Sequence, residues 1–291
     1  MVRAELTALS VTASGRQAGE QRWSYASFVA PLLLFVVIVF DIPLIVTSLW
    51  SFTDEQTGAA TLANYGEFLS SDIYARIIWR TMLIALMVTG LCALLGYPLA
   101  YWTTRLGPVW QVVALGTVIL TFWVSILVRT YAWIVILGNG GVVNRWLQSA
   151  GLTRTPIEFL YNEFGVMVGM VNVLLPFFVL PLYAAMRRID RRLLDMAESL
   201  GASRLESFWR VFFPLSLPGL GASMVLAFIL SLGFYITPAI LGGGRVPMVA
   251  NMMDLLINQF ARWQMAAVVS VALLLVTLLF YGIYQWLRER S

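Results

Sequence analysis

Asp195 and Glu198 stand in a stretch, Arg187 to Gly219, that also carries Arg187, Arg188, Arg191, Arg192, Arg204 and Arg210 between two long apolar runs. Carboxylates and guanidiniums at this density offer ion pairing and charge-assisted hydrogen bonds to a partner. Leu193, Met196 or Ala197, and Leu200 recur at i, i+3/i+4 and i+7, so the segment is patterned as a helix with one apolar stripe. Arg191, Arg192, Asp195, Glu198 and Ser199 cover the other side, and Arg191 and Asp195 are spaced to pair. Gly201 interrupts the pattern. A second stripe follows, Leu205, Phe208 or Trp209, and Phe212, which Pro214 and Pro218 are expected to stop before the next apolar run. Two short helices about a glycine joint make a shape for docking on a partner. The other reading is a basic amphipathic helix lying flat on a bilayer.

What the sequence lacks narrows the chemistry further. It contains no Lys and no His. Without Lys there is no Walker A lysine to hold a nucleotide in a P-loop. Without His there is no Ser-His-Asp triad and no imidazole metal ligand. Neither paired acids in the apolar runs nor a metal set is present, so a membrane enzyme is disfavoured. The single cysteine, Cys92, forms no disulfide within the chain. If ATP drives this protein, another subunit binds it.

The elements that position the charged stretch are apolar. The 291 residues are 60% hydrophobic and 12% charged, with a mean hydropathy of +0.82. A soluble domain carries roughly twice that charged fraction. Six segments have the roughly 20 apolar residues that a bilayer crossing needs: 26–50, 79–104, 109–137, 164–186, 217–241 and 263–287. Residues 1–25 are expected to be a disordered cytoplasmic tail, and the first apolar run a retained span rather than a cleaved signal. Arg3, Arg16, Arg22, Arg105, Arg187, Arg188, Arg191, Arg192, Arg204, Arg210, Arg288 and Arg290 fall on one side of a six-span arrangement. Arg76, Arg80, Arg145, Arg154, Arg245 and Arg262 fall on the other. The positive-inside rule therefore puts both termini and the 187–216 loop in the cytoplasm. The net charge of +4 and pI near 9.4 report those loops, not nucleic-acid binding. A short helix is expected before the second span, and an amphipathic patch around Trp146 and Leu147.

Polar residues and helix breakers inside the spans mark candidates for a translocation pathway. Asp41 lies near the middle of the first span and Arg129 in the third. Each costs about 3 kcal/mol on insertion scales, so lipid exposure is disfavoured. They pair with one another, or Arg129 snorkels outward, or one of them faces the pathway. Asn172 is a weaker candidate of the same kind. Pro176 and Pro181 are expected to interrupt the fourth span, and Gly233 and Pro238 the fifth, around Tyr235 and Thr237. Such breaks either kink helices for packing or line a cavity.

Asp195-Met196-Ala197, then Gly201, then nine residues and Val211-Phe212-Phe213-Pro214 resembles the motif Glu-Ala-Ala-x3-Gly-x9-Ile-x-Leu-Pro of the membrane subunits of bacterial ABC importers. The spacing agrees throughout; Asp195 stands where the motif has Glu and Met196 where it has Ala. Asn64-Tyr65 with Phe68-Leu69, GYPLAYW (96–102), LVRTYAW (127–133), LLPFFVLPLY (174–183) and FYITPAILGG (234–243) look like the first permease of spermidine/putrescine-type importers. The likeness runs from about residue 26 onward.

The resemblance implies an all-α membrane protein of six spans, the type I importer permease fold, in the bacterial inner membrane. It implies that Leu193, Asp195, Met196, Ala197, Glu198, Leu200, Gly201, Ala202, Arg204 and Pro214 form a coupling helix seated in an ATPase, with Asp195 or Glu198 pairing with its cations. ATP and Mg would sit on that partner, and this chain would bind no cofactor and no metal. The implied partners are a second, homologous permease, a cytoplasmic ATPase dimer, a periplasmic solute-binding protein and membrane lipid. The implied cargo is a small organic solute, a polyamine first. The spans hold no ring of acids that demands a cation, which leaves an amino acid derivative or opine open. An ion-gradient-driven secondary transporter is the alternative that needs no ATPase.

Overall fold

In lipid no water is present to satisfy backbone N–H and C=O groups, so long apolar runs become helices. The computed structural model describes residues 29–55 and 57–290, and the side chains of all of these but 287–290. The expected tail at 1–25 lies outside the described residues.

The helices are α1 (Val29–Trp50), α2 (Ala63–Ser70), α3 (Asp72–Arg105), α4 (Pro108–Trp123), α5 (Ile126–Leu137), α6 (Val142–Ser149), α7 (Glu163–Met186) and α8 (Arg192–Ser199). They are followed by α9 (Arg204–Leu232), α10 (Ile236–Leu241), α11 (Val249–Asn258) and α12 (Trp263–Arg290). Six helical stretches are long and apolar enough to cross a membrane: α1, α3, α7, α9, α12 and the composite of α5 and α6. At 1.5 Å per residue α3 is about 50 Å long, so it projects beyond a hydrocarbon layer of about 30 Å.

The core lies between α3, α7 and α9. Ile84, Val88, Cys92 and Ala100 meet Val166, Met170, Leu174, Phe178 and Leu182, with Phe212 and Ala227 from α9. Because α7 is apolar all round, it can be buried on several sides at once. Tyr97 Oη and Ser216 Oγ share a hydrogen bond of 2.8 Å across the α3–α9 seam. A second cluster joins Tyr74 to Val249, Leu256, Met265 and Val269 at the opposite end from α8. There Arg262 holds Glu67 of α2 by a two-pronged contact, Nη1 to Oε1 at 2.8 Å and Nη2 to Oε2 at 2.7 Å.

Four expectations are corrected. The span expected at 109–137 is two helices, because Val124 and Ser125 are extended. The span expected at 217–241 begins at Arg204 and ends at Leu232, and α10 is separate from it. Pro214 and Pro218 do not stop the second short helix. It continues into α9 through a π turn over Phe208–Phe212, in which Phe213 N–H bonds the Phe208 carbonyl. The wider turn accommodates the missing N–H of Pro214 without breaking the helix. Pro176 and Pro181 do not interrupt α7, which is continuous from Glu163 to Met186. Gly233 does end α9, whereas Pro238 sits in the first turn of α10, where no N–H is needed.

Candidate functional site

The joint between α7 and α9 is built by local hydrogen bonds. After α7, Asp190 Oδ1 accepts the Arg192 N–H at 2.9 Å and starts α8. The far end of α8 closes as a Schellman turn: Gly201 N–H bonds Glu198 O at 3.0 Å and Ala202 N–H bonds Ala197 O at 3.0 Å. Gly201 carries the required positive φ, +94°. A capping box then starts α9. Ser203 Oγ accepts the Glu206 N–H at 3.3 Å, and Glu206 Oε2 accepts the Ser203 N–H at 2.9 Å. Ala202 lies in this turn, half-buried, and Arg204 in the first turn of α9, exposed. Ser-x-x-Glu at 203–206 was readable in the sequence as a helix start.

Helix α8 has two opposed faces. Arg191, Leu194, Asp195 and Glu198 line a cleft of about 910 Å³ against the turn between α3 and α4. Leu194 packs with Ile189 and Phe208 on the core. Leu193, Met196 and Leu200 point the other way and are 43%, 62% and 89% exposed. Ala197 is half-buried between the faces. The expected Arg191–Asp195 pair does not form: Arg191 Nη2 donates to the Thr104 carbonyl at the end of α3. The Thr104 carbonyl has no intrahelical partner at the end of α3, and an exposed ion pair would contribute little in exchange. The second stripe divides as well. Phe212 is buried and Phe208 packs on the core, while Leu205 and Trp209 are exposed. Pro214 sits at the start of the α-helical part of α9.

The pathway candidates occupy three places. Arg129 reaches back across the α4–α5 break, where its Nη2 donates to the carbonyls of Thr121 and of Val124, the latter at 3.1 Å. It is therefore not paired with Asp41. Asp41 is exposed on the π turn of α1 (Val37–Asp41), and α1 packs on α12. Thr237 is fully buried on α10, with its methyl against Gly169 of α7, where a Cβ would stand 2.5 Å from it. Asn172 lies one turn further along α7. Thr237 Oγ1 and Asn172 Oδ1 have no hydrogen-bond partner among the described residues. Tyr235 sits in the α9–α10 break, 40% exposed, with the Asp254 carboxylate of α11 beside its hydroxyl. Its carbonyl accepts from Asn251 Nδ2 at 3.2 Å. The structure thus gathers Asn172, Tyr235 and Thr237 about one helix break and leaves Asp41 apart. Asp254 was missed because α11 reads as an outer amphipathic segment. Gly165-x3-Gly169, the small-residue face that admits α10 so closely, was legible.

Residues 93–291 match the family of binding-protein-dependent transport system inner membrane components. The chain belongs to that family. It is 34% identical over 226 residues to the spermidine/putrescine transport system permease protein PotB of Haemophilus influenzae, covering 77% of this chain and 78% of that one. PotB of Escherichia coli K12 is 31% identical over 230 residues, 79% of this chain and 83% of its own. The putative 2-aminoethylphosphonate transport system permease protein PhnU of Salmonella typhi is 28% identical over 239 residues, covering 80% and 81%. In fold the chain resembles a bacterial ABC transporter that imports the acidic polysaccharide alginate, with a TM-score of 0.71, 18% identity and 94% and 98% coverage. Another structure of a bacterial alginate transporter, in complex with a periplasmic protein, gives a TM-score of 0.70, with coverage of 94% and 96%. The family is that of inner membrane components of binding-protein-dependent transport systems, which sets aside the ion-gradient alternative. Among the described residues no group of His, Cys, Asp or Glu could hold a metal ion.

Proposed function

We propose that this chain is one of two permeases of an ATP-driven, binding-protein-dependent importer, and that α8 is its coupling helix. One observation carries this reading. A short helix is held on its own spans by Leu194 and Arg191 while Leu193, Met196 and Leu200 face away, unburied. Three large apolar residues on a helix otherwise rich in charge match a partner's groove better than solvent. The helix is joined through Gly201 to the rigid start of α9, so movement of the groove becomes movement of a span. The loop lies in the cytoplasm, where an ATPase dimer carrying ATP and Mg docks on it. A periplasmic binding protein delivers solute at the opposite face, and a second, homologous permease completes the pathway. Asp195, Met196, Ala197 and Glu198 belong to the coupling segment, whose acids lie on the cleft side.

The cargo is a small organic solute, a spermidine/putrescine-type polyamine, supported by the PotB relatives. Tyr235 and Asp254 offer a phenol and a carboxylate that an ammonium group can meet. A second reading, the same role for an amine-bearing non-polyamine solute, is favoured by the PhnU likeness.

Co-expression with the ATPase and reconstitution into proteoliposomes tests the proposal. At Gly201 a Cβ meets nothing within 4 Å, but the φ of +94° strains any side chain by about 1–2 kcal/mol. Gly201→Asp is expected to leave the spans assembled and ATP hydrolysis present while abolishing uptake of labelled spermidine. Normal uptake by this variant would remove α8 from the coupling role.

A further inference from the structure

Gln111, in the first turn of α4, uses all of its hydrogen-bonding capacity on the joint. Its Oε1 accepts from Arg187 Nη1 at 2.8 Å and from Tyr183 Oη at 3.3 Å, both at the end of α7. Its Nε2 donates to Leu106 O at 2.9 Å and Thr104 O at 3.4 Å, the last carbonyls of α3 and its turn. A side-chain amide has two acceptor sites and two donors, so nothing is left over. The Thr104 carbonyl is shared with Arg191, the residue before α8. Two stitches, Arg187–Gln111 and Arg191–Thr104, therefore bind the coupling segment to the α3–α4 turn.

The remainder of α4 is thinly held. Its far end is fixed by Phe122, edge-on to Phe177 of α7 at 4.8 Å, and by the Arg129 bonds to Thr121 and Val124. Val109, Trp110, Val112, Val113 and Leu120 are exposed. Between the ends Ala114, Leu115, Gly116 and Val118 are half-buried, and a stiff helix carries movement of its ends along its length.

We propose that Gln111 is a positioning residue for transport: through Arg187 it makes the α3–α4 turn follow the coupling helix, so that force enters α3 and α4 as well as α9. The fully satisfied amide is what makes this joint stiff, since every alternative rotamer forfeits hydrogen bonds. The inference rests on α8 being the coupling helix.

The test uses the full transporter with Cys92→Ala, and spin labels at Gly107→Cys and Ser199→Cys, one on the turn and one on α8. Both sites are exposed, and Gly107 has open space around it. In the parent, the label distance is expected to be the same without nucleotide and after trapping with ATP and vanadate. In Gln111→Met and in Arg187→Met it is expected to shift by more than about 2 Å on trapping. Spermidine carried per ATP hydrolysed should fall about fivefold or more in each. The double variant should be no worse than either single one. A parent distance that changes on trapping, or single variants that keep both the distance and the transport ratio, would overturn the proposal. The distance measurement needs no solute, and Arg187→Met carries the test if Gln111→Met does not assemble. A parent chain that captures no ATPase would instead overturn the importer reading, and this inference with it.

Discussion

Arginine does more in this protein than carry charge. Arg129 and Arg191 each cap carbonyls left open at a helix end, and Arg187 reads a glutamine. Each uses a planar fork of donors that an ammonium does not possess. Arg262 is the case with a pH dependence. Its hydrogen bonds to Glu67 hold that carboxyl below the usual glutamate range, with its charge adding to the effect. Glu55 lies 3.7 Å from the same guanidinium. A lowered folded-state pKa means that the stabilisation is complete above the ordinary glutamate value. It is lost as pH falls through the lowered one. Both side chains are partly exposed, so the gain is modest. Glu67→Gln is expected to lower the melting temperature of the detergent-purified chain at neutral pH. The difference should close as the buffer is taken below about pH 4. A difference that persists unchanged in acid would show that the clasp stabilises by packing alone.

Among the elements, the α4–α5 pair is the one whose behaviour follows least directly from composition. Its Val124–Ser125 break has neither proline nor glycine, and the carbonyls it frees are met by a residue five positions beyond the nearer of them. Arg129 contacts a charged donor's usual targets here, and hydrogen bonds to charged groups contribute about 1.5–3 kcal/mol. Arg129→Met is expected to destabilise the protein by that order, read as a lower melting temperature. Uptake should fall only in proportion to the folded fraction. Full stability with lost uptake would return Arg129 to the solute pathway. This element also shows what a sequence can carry. The apolar run at 109–137 announced itself, but Val124 and Ser125 are not helix-breaking residue types, so the break between α4 and α5 left no signature there. By contrast, Gly201 ends α8 where the apolar period ends, and the following Ser203 and Glu206 spell out the next cap. The α8 faces were half legible: Leu193, Met196 and Leu200 form the stripe as spaced, whereas Leu194, which anchors the helix to the core, is indistinguishable from them by type. Gln111 carried no signal, because its partners come from two helices and a turn that only the fold brings together.

For the whole molecule, arginines tie down both ends. At the end remote from α8, Arg80 is paired with Glu163 at 2.9 Å and Arg262 with Glu67 at 2.7 Å. At the α8 end Arg187 and Arg191 bond neutral groups, and Arg105 lies 4.7 Å over the Tyr101 ring. The proposed orientation puts Ser199 in the cytoplasm and Gln148 outside, both on exposed positions. In a Cys92→Ala background, Gln148→Cys is expected to react with a membrane-impermeant maleimide in intact spheroplasts. Ser199→Cys should react only after the membrane is opened. Labelling of Ser199→Cys in intact spheroplasts would place α8 where no ATP-driven subunit can reach it, and the coupling role would have to be given up.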